Sequence, residues 1–393
     1  MNFLLISLIK ILVVLFVLLT ALAYIVWLER KVAAHIQSRW GPYRVGPYGL
    51  LQPLADLVKF IFKEDTAPSE VNRPIYFLAP FLALVLALMS IAVIPFGPTV
   101  EIAGLQTALQ ITDLNIGLLF VFAVTSLGVY GIALAGWSSG SKYSLLGGLR
   151  SCAQMISYEL ALGFAVIGVV ILSRTLSLRG IVESQSGFWL GFIPKWNIWM
   201  QFVAFFIYLT AAFAETNRLP FDLPEAEGEL VAGFHTEYTS LKFAMFFTAE
   251  YANMVTVSSL ATILFFGGWL RPLPGDWMRY VPTVVLLVVA ALIIAMAVRS
   301  YRLSERLVIP ALALVLAATG LAFLHDGFAA VAEPLFWFVS KVLVFLFFYI
   351  WVRWSVPRFR YDQLMSIGWK LLLPVAAVNI LVTGLVVALL AGP

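Results

Sequence analysis

Long apolar runs alternate with short polar connections along the chain, near 3–28, 75–97, 115–137, 155–173, 198–214, 248–268, 281–298, 307–324, 332–352 and 371–391. At about 1.5 Å per residue each run spans most or all of a hydrocarbon layer of about 30 Å. A backbone in lipid has to satisfy its own hydrogen bonds, and none of the runs shows the alternation of a barrel strand. The pattern therefore predicts an all-α polytopic membrane protein with about ten transmembrane helices. The first run continues through Trp27 into a basic loop, so it is expected to stay as a span although Ala21-Leu22-Ala23 resembles a leader-cleavage site.

One connection has a different period. Leu50, Leu51, Leu54, Leu57, Val58, Ile61 and Phe62 share one side of a helix, while Gln52, Asp56, Lys59 and Lys63 take the other. Residues 49–63 are thus expected to lie in the membrane interface as an amphipathic helix, behind two Gly-Pro pairs that bracket Arg44. Its periodicity fits either a simple interfacial brace or the floor of an opening through which an amphiphile leaves the bilayer.

Charge orients this pattern. Of the 25 Lys and Arg, 18 fall in the odd-numbered connections and 5 in the even-numbered ones. By the positive-inside tendency the odd connections are cytoplasmic and both termini lie outside. With 62% apolar and 12% charged residues over 393 positions and a mean hydropathy of +0.97, a soluble globule is excluded. Cys152 is the sole cysteine and His35, His235 and His325 are far apart, so spacings for iron–sulfur, haem or zinc ligation are missing. No metal site is expected, and redox or nucleotide chemistry would belong to a partner. Each histidine reads as an ordinary polar contact. Lys10 is expected to snorkel outward, whereas Lys341 reads equally as a functional charge or as a snorkelling one.

The third cytoplasmic connection and its flanks hold the densest chemistry. Glu215, Asp222, Glu225, Glu227, Glu229, Glu237 and Glu250 face only Arg218 and Lys242 as basic residues in that stretch. Pro224 suits a first helical position, so Glu225 and Glu227 fit either a helix N-terminus or a functional cluster. Glu215 closes one span, Glu250 opens the next and Glu159 lies near the start of the fourth, positions where an ionised carboxylate is costly. Such a line of acids is a candidate proton relay, with structural pairing to Arg218 and Lys242 as the competing explanation.

The stretches 29–65, 136–159 (GWSSGSKYSLLGGLRSCAQMISYE), 214–254 (AETNRLPFDLPEAEGELVAGFHTEYTSLKFAMFFTAEYANM) and 337–374 (WFVSKVLVFLFFYIWVRWSVPRFRYDQLMSIGWKLLLP) closely resemble the quinone-site membrane subunit of respiratory complex I, the proton-translocating NADH:quinone oxidoreductase. The resemblance implies a subunit that binds no cofactor by itself and takes quinone as substrate. FMN and iron–sulfur clusters would sit in partner subunits, with peripheral-arm quinone-site subunits on one side and membrane-arm pump subunits on the other. It further implies a quinone cavity entered near the first span and the amphipathic helix, with charged lining at Glu29, Arg30, Asp56, Lys59, Arg218, Arg358, Arg360 and Asp362. Glu159, Glu215, Asp222, Glu225, Glu227, Glu229, Glu237 and Glu250 would pass protons or electrostatic strain toward the pumps.

Two features depart from the family pattern. Its core has eight spans, whereas segment 271–330 here adds about two more, uncharged within the hydrocarbon and expected to be lipid-facing. An even number leaves the downstream topology unchanged. The chain thus divides into 1–270 with six spans, the inserted 271–330, and 331–393 with two spans and a basic loop at 353–370. The third span carries no carboxylate, so a relay through it would borrow one from a neighbour. The expected setting is a bacterial cytoplasmic membrane. Alternatives are the equivalent subunit of a ferredoxin- or deazaflavin-linked quinone reductase or of a membrane-bound hydrogenase and, from a different class, a stand-alone ion transporter. The transporter reading is weakened because no internal repeat is visible.

Overall fold

The structure, a computed structural model, describes residues 3–102, 105–223, 231–298 and 302–391. Among the described residues ten main helices follow the ten runs: α1 Phe3–Ile36, α3 Arg73–Met89, α4 Gly117–Ser138, α5 Lys142–Ser173, α7 Phe202–Glu215, α8 Ser240–Phe265, α9 Val281–Val298, α10 Leu303–Ala322, α11 Asp326–Ser355 and α13 Leu373–Ala391. Between them lie the amphipathic α2 Gln52–Phe62 and two short helices, α6 Leu178–Ser184 and α12 Tyr361–Ser366. A π-helical stretch, Ile367–Leu372, leads into α13. The only strands among the described residues form two small antiparallel hairpins, Thr99–Ile102 (β1) with Leu105–Ala108 (β2) and Phe188–Trp189 (β3) with Ile193–Pro194 (β4).

Eight helical stretches in the described residues are long and apolar enough to cross a membrane. The other two main helices depart from that standard for a physical reason. α7 has only 14 residues, and α8, though 26 long, carries Thr256, Ser258, Ser259 and Thr262 buried inside the protein. α8 is surrounded by protein, so its polar groups meet partners and not hydrocarbon. Ser90 and Thr256 share a hydroxyl hydrogen bond of 2.9 Å, and the Tyr208 hydroxyl donates to the Val257 carbonyl at 2.8 Å. Hydropathy reports lipid exposure, and an enclosed helix is free of that requirement.

Helices also outrun their apolar stretches. α5 begins at Lys142, well before the run at 155, and α8 begins at Ser240, not near 248. Protein packing supports these extensions. A Cβ added to Gly147 on α5 would lie 2.7 Å from the Cα of Gly233, so only glycine allows the 233–235 turn to approach so closely. Gln154 then holds the bend after α7, its amide donating to the Ala214 and Phe221 carbonyls, both at 2.8 Å.

Both intramembrane lysines serve the backbone. Lys10 donates to the carbonyls of Ala108 and Gln110 at 2.8 and 3.1 Å, which ties α1 to the first hairpin. Lys341 does not snorkel. Its ammonium donates to the carbonyls of Phe266, Gly268 and Leu270 at 2.8, 2.9 and 2.7 Å, acceptors in the turn that follows α8.

The inserted α9 and α10 pack on each other and expose most of their apolar side chains, as a lipid-facing pair should. One end does more. Glu305 is fully buried and accepts long hydrogen bonds, each 3.5 Å, from the Tyr43 hydroxyl and the Tyr48 backbone N–H. Arg302 donates to the Tyr43 carbonyl at 3.1 Å and lies 4.2 Å from the Tyr43 ring centre. The insertion therefore grips the loop that precedes α2.

Candidate functional site: a buried charge cluster and two cavities

The bend that Gln154 secures carries Arg218 into the interior, where its side chain is only 3% exposed. Glu29 on α1 meets the guanidinium with both carboxylate oxygens at 3.3 Å, and Glu250 on α8 binds Arg218 Nε at 2.5 Å. A second cation, Arg353 from the last turn of α11, pairs with Glu29 through Oε1. The Tyr251 hydroxyl donates to Glu29 at 2.6 Å, and its ring lies 4.2 Å from the Arg218 guanidinium. Two acids and two bases thus form a compact quartet that is neutral when all four are ionised. Burial of a charge is tolerated on that condition, because each loses its water and regains a counter-charge with directed hydrogen bonds.

Two cavities accompany the quartet, the inner one lined by its member Glu250. A cleft of about 660 Å³ runs between α1, α2, α8 and the 231–238 turn, lined by Trp27, Arg30, Asp56, Lys59, His235 and Tyr238 among others. Arg30 pairs with Asp56 at 2.6 Å, and Gln52 donates to the same carboxylate at 3.0 Å. Lys59 is exposed at the rim. Leu54, Leu57, Ile61 and Phe62 of α2 are uncovered by the chain, so this apolar face is free to meet lipid. Burial pushes the Tyr238 phenol up to about 12, which keeps its hydroxyl protonated as a hydrogen-bond donor. It donates to the Tyr76 carbonyl at 3.3 Å and its ring stacks on Tyr76.

Deeper in the bundle, Thr125, Asn217, Glu215, His235, Glu250 and Asn253 line a cavity of about 40 Å³. That is room for a few waters at most, and the polar lining supplies the hydrogen bonds they need. Glu159 lies close enough to Glu215 for the two to interact electrostatically, and its carboxylate accepts a hydrogen bond from Ser126 of α4. The third span, lacking an acid of its own, therefore borrows Glu159 from α5.

The predicted residues separate into groups. Glu29, Arg218 and Glu250 converge in the quartet; Arg30, Asp56 and Lys59 line the cleft; Glu215 lines the inner cavity and Glu159 interacts with it electrostatically. Asp222 pairs with Arg358 at 3.1 Å, separate from the others. Arg360 and Asp362 are exposed around the start of α12, and Glu237 offers its backbone carbonyl to the Tyr76 hydroxyl at 2.5 Å. Glu225, Glu227 and Glu229 lie outside the described residues. Lys242 pairs with Asp65 at 2.8 Å. Sequence reasoning passes over Arg353, Tyr251 and Ser126, and it reads His235 as an ordinary polar contact. A basic residue in the last turn of a long apolar helix is the one visible signal for Arg353. His235 is set apart by lining both cavities. Among the described residues no three His, Cys, Asp or Glu side chains converge as metal ligands would.

These features define a polytopic helical membrane protein built around internal ionisable side chains. A family model described as NADH dehydrogenase matches residues 9–384. An H-type subunit of the NADH-quinone oxidoreductase of Solibacter usitatus (strain Ellin6076) is 54% identical, covering 98% of each chain. The corresponding H-type subunit of Koribacter versatilis (strain Ellin345) is also 54% identical over 98% of each, and one of Geobacter metallireducens is 44% identical over 98% of this chain and 97% of its own. The chain belongs to the family of H-type membrane subunits of NADH-quinone oxidoreductase.

Proposed function

We propose that this chain is the membrane subunit that forms much of the quinone cavity in a proton-translocating NADH:quinone oxidoreductase and passes the effect of quinone reduction to buried carboxylates. Quinone is the substrate. FMN and iron–sulfur clusters belong to partner subunits, peripheral-arm subunits complete the cavity, and pump subunits of the membrane arm receive the output. The relatives' names support NADH as the donor of the assembly over a ferredoxin or a deazaflavin. The setting is a bacterial cytoplasmic membrane with both termini outside.

The observation that carries this reading is the position of Glu250 and His235. The cleft is amphipathic, with apolar walls from α1 and α8 and charges at Arg30, Asp56 and Lys59, as a hydrophobic molecule with a polar head requires. Glu250 touches both the quartet and the inner cavity, while His235 lines that cavity and the cleft. A change of charge in the cleft would therefore reach Glu215 and Glu250 of the inner cavity past His235, and the quartet through Glu250. A shift of one pKa unit corresponds to about 1.4 kcal/mol, so several coupled carboxylates would transmit a few kcal/mol.

Glutamine keeps the shape of glutamate but cannot titrate. In the assembled complex, Glu215→Gln, Glu227→Gln and Glu250→Gln are expected to lose quinone-linked turnover and proton pumping together. Electron transfer from NADH to an artificial acceptor that bypasses the cavity should stay near wild type. Glu101→Gln, exposed in the first hairpin, is the matched control. Normal turnover and pumping in all three variants would leave these acids as ion-pair partners only.

A further inference from the structure

The end of the bundle farthest from the acidic loop has a second pair of cavities. There α8 stops at Phe265 and the chain turns toward Arg271. A cleft of about 380 Å³ lies between the β3–β4 hairpin, the 269–275 turn and the start of α11. A groove of about 480 Å³ runs beside it between α7 and α11. Trp196 and Trp337 line both, so the two are continuous.

Their chemistry differs. At the cleft, Arg271 makes a two-point ion pair with Glu333 at 2.5 and 2.9 Å, and Trp337 Nε1 donates to the same carboxylate at 3.3 Å. A guanidinium has five N–H donors, and Glu333 takes two of those on Arg271. The Arg271 side chain is 39% exposed, and its remaining donors suit an anion. The groove is walled by Phe205, Phe206, Leu209, Val344, Phe345 and Phe348. Lys341 at its head offers nothing to a ligand, because its three N–H groups already meet three carbonyls. From Trp337 to Phe348 the α11 wall extends about 16 Å at 1.5 Å per residue, about half of a hydrocarbon layer of about 30 Å. That is the depth of one leaflet.

We propose that the cleft and groove together bind one glycerophospholipid of the leaflet on that side, with its phosphate on Arg271, its glycerol region between Trp196 and Trp337, and one acyl chain along the α7–α11 groove. A compact anion joined to a chain one leaflet long matches the order of the lining from Arg271 to Phe348. Tryptophans at the junction are where amphipathic rings sit in membranes. Glu333 does not repel the phosphate strongly, because Arg271 already neutralises it.

The test uses the purified, assembled complex in nanodiscs doped with a phospholipid whose acyl chain carries a diazirine. Cross-linked peptides are then mapped by mass spectrometry. Wild type should label at 205–209 and 340–348. Val344→Trp adds bulk at a position 68% exposed, so it fills the groove without disturbing the core. The paired change Arg271→Gln with Glu333→Gln removes both charges at once and strands neither. Each should reduce labelling about tenfold, which corresponds to about 1.4 kcal/mol of binding. Excess inorganic phosphate should leave wild-type labelling unchanged. Unaltered labelling in both variants would overturn the site, as would displacement of the probe by a short-chain quinone. A photo-cross-linker at position 344 that captures another subunit and no lipid would show that a partner helix fills the groove, and would overturn it equally.

Discussion

Glu29 is a junction of the site, since Arg218, Arg353 and Tyr251 all bind its carboxylate. Removal of one member of such a group leaves a buried charge without its partner, typically at a cost of about 3–5 kcal/mol. Arg218→Gln takes a counter-charge from Glu29 and Glu250 at once and leaves the quartet with excess negative charge, and we expect a fall in subunit incorporation and in the thermal midpoint of the complex. Arg218→Lys keeps the charge but not the fork, so it should recover incorporation better than turnover. Arg353 is partly solvated, so Arg353→Gln should destabilise less than Arg218→Gln. Equal losses for the two would mean that burial does not govern the quartet. His235→Ala, next to two cavities, is expected to slow quinone turnover while NADH oxidation by an artificial acceptor continues. Unchanged turnover would return His235 to a packing role. The sequence made Glu29, Arg218 and Glu250 candidates. It hid Arg353, which is 324 positions from Glu29 and reaches it only when α11 packs against α1.

At the scale of elements, α2 is the clearest case of a helix shaped by its surroundings. Its apolar residues recur with helical period, yet none of its residues is buried by the chain, so the bilayer or a partner is what holds that face. Leu57→Glu with Ile61→Glu should detach α2 from the membrane and reduce turnover with long-tailed quinones more than with short-tailed ones. An equal loss for both would argue that α2 is a brace and not the floor of an entry. The inserted hairpin belongs to the same scale. Replacement of 272–330 by a short polar linker should permit assembly, since most of its surface is lipid-facing, but should free the loop that Glu305 and Arg302 hold through Tyr43. Faster proteolysis at Arg39 and Arg44 is the expected readout, and unchanged cleavage would restore the hairpin to a lipid-facing role alone.

For the whole molecule the charge asymmetry makes a single topology prediction. Reporter tags near residues 60, 145, 230, 302 and 362 should lie in the cytoplasm and tags at both termini outside, as dual fusion reporters would show. A cytoplasmic C-terminus would mean that 271–330 crosses an odd number of times. The quartet, the cleft and the basic 353–370 segment would share the cytoplasmic end. The Arg271–Glu333 cleft would open at the other.

The helical class, the ten apolar segments and the interfacial helix were legible in the sequence because lipid imposes one rule on every exposed stretch, apolar side chains on a backbone that satisfies itself. That rule weakens in the interior. α8 is the most enclosed helix and among the least hydrophobic, and α5 continues 13 residues ahead of its apolar run because the 233–235 turn packs against Gly147. The acids near membrane depth were legible for the same reason, since a charge there is conspicuous. Whether each is a relay candidate or an ion-pair partner depends on which groups lie within a few ångströms. Electrostatic interaction in a poorly hydrated interior falls steeply with distance and depends on desolvation. No spacing along the chain encodes the distances that join Glu29 to Arg353, Glu159 to Ser126 or Arg271 to Glu333. Those pairings arise only when the helices pack, and the tertiary structure alone decides them.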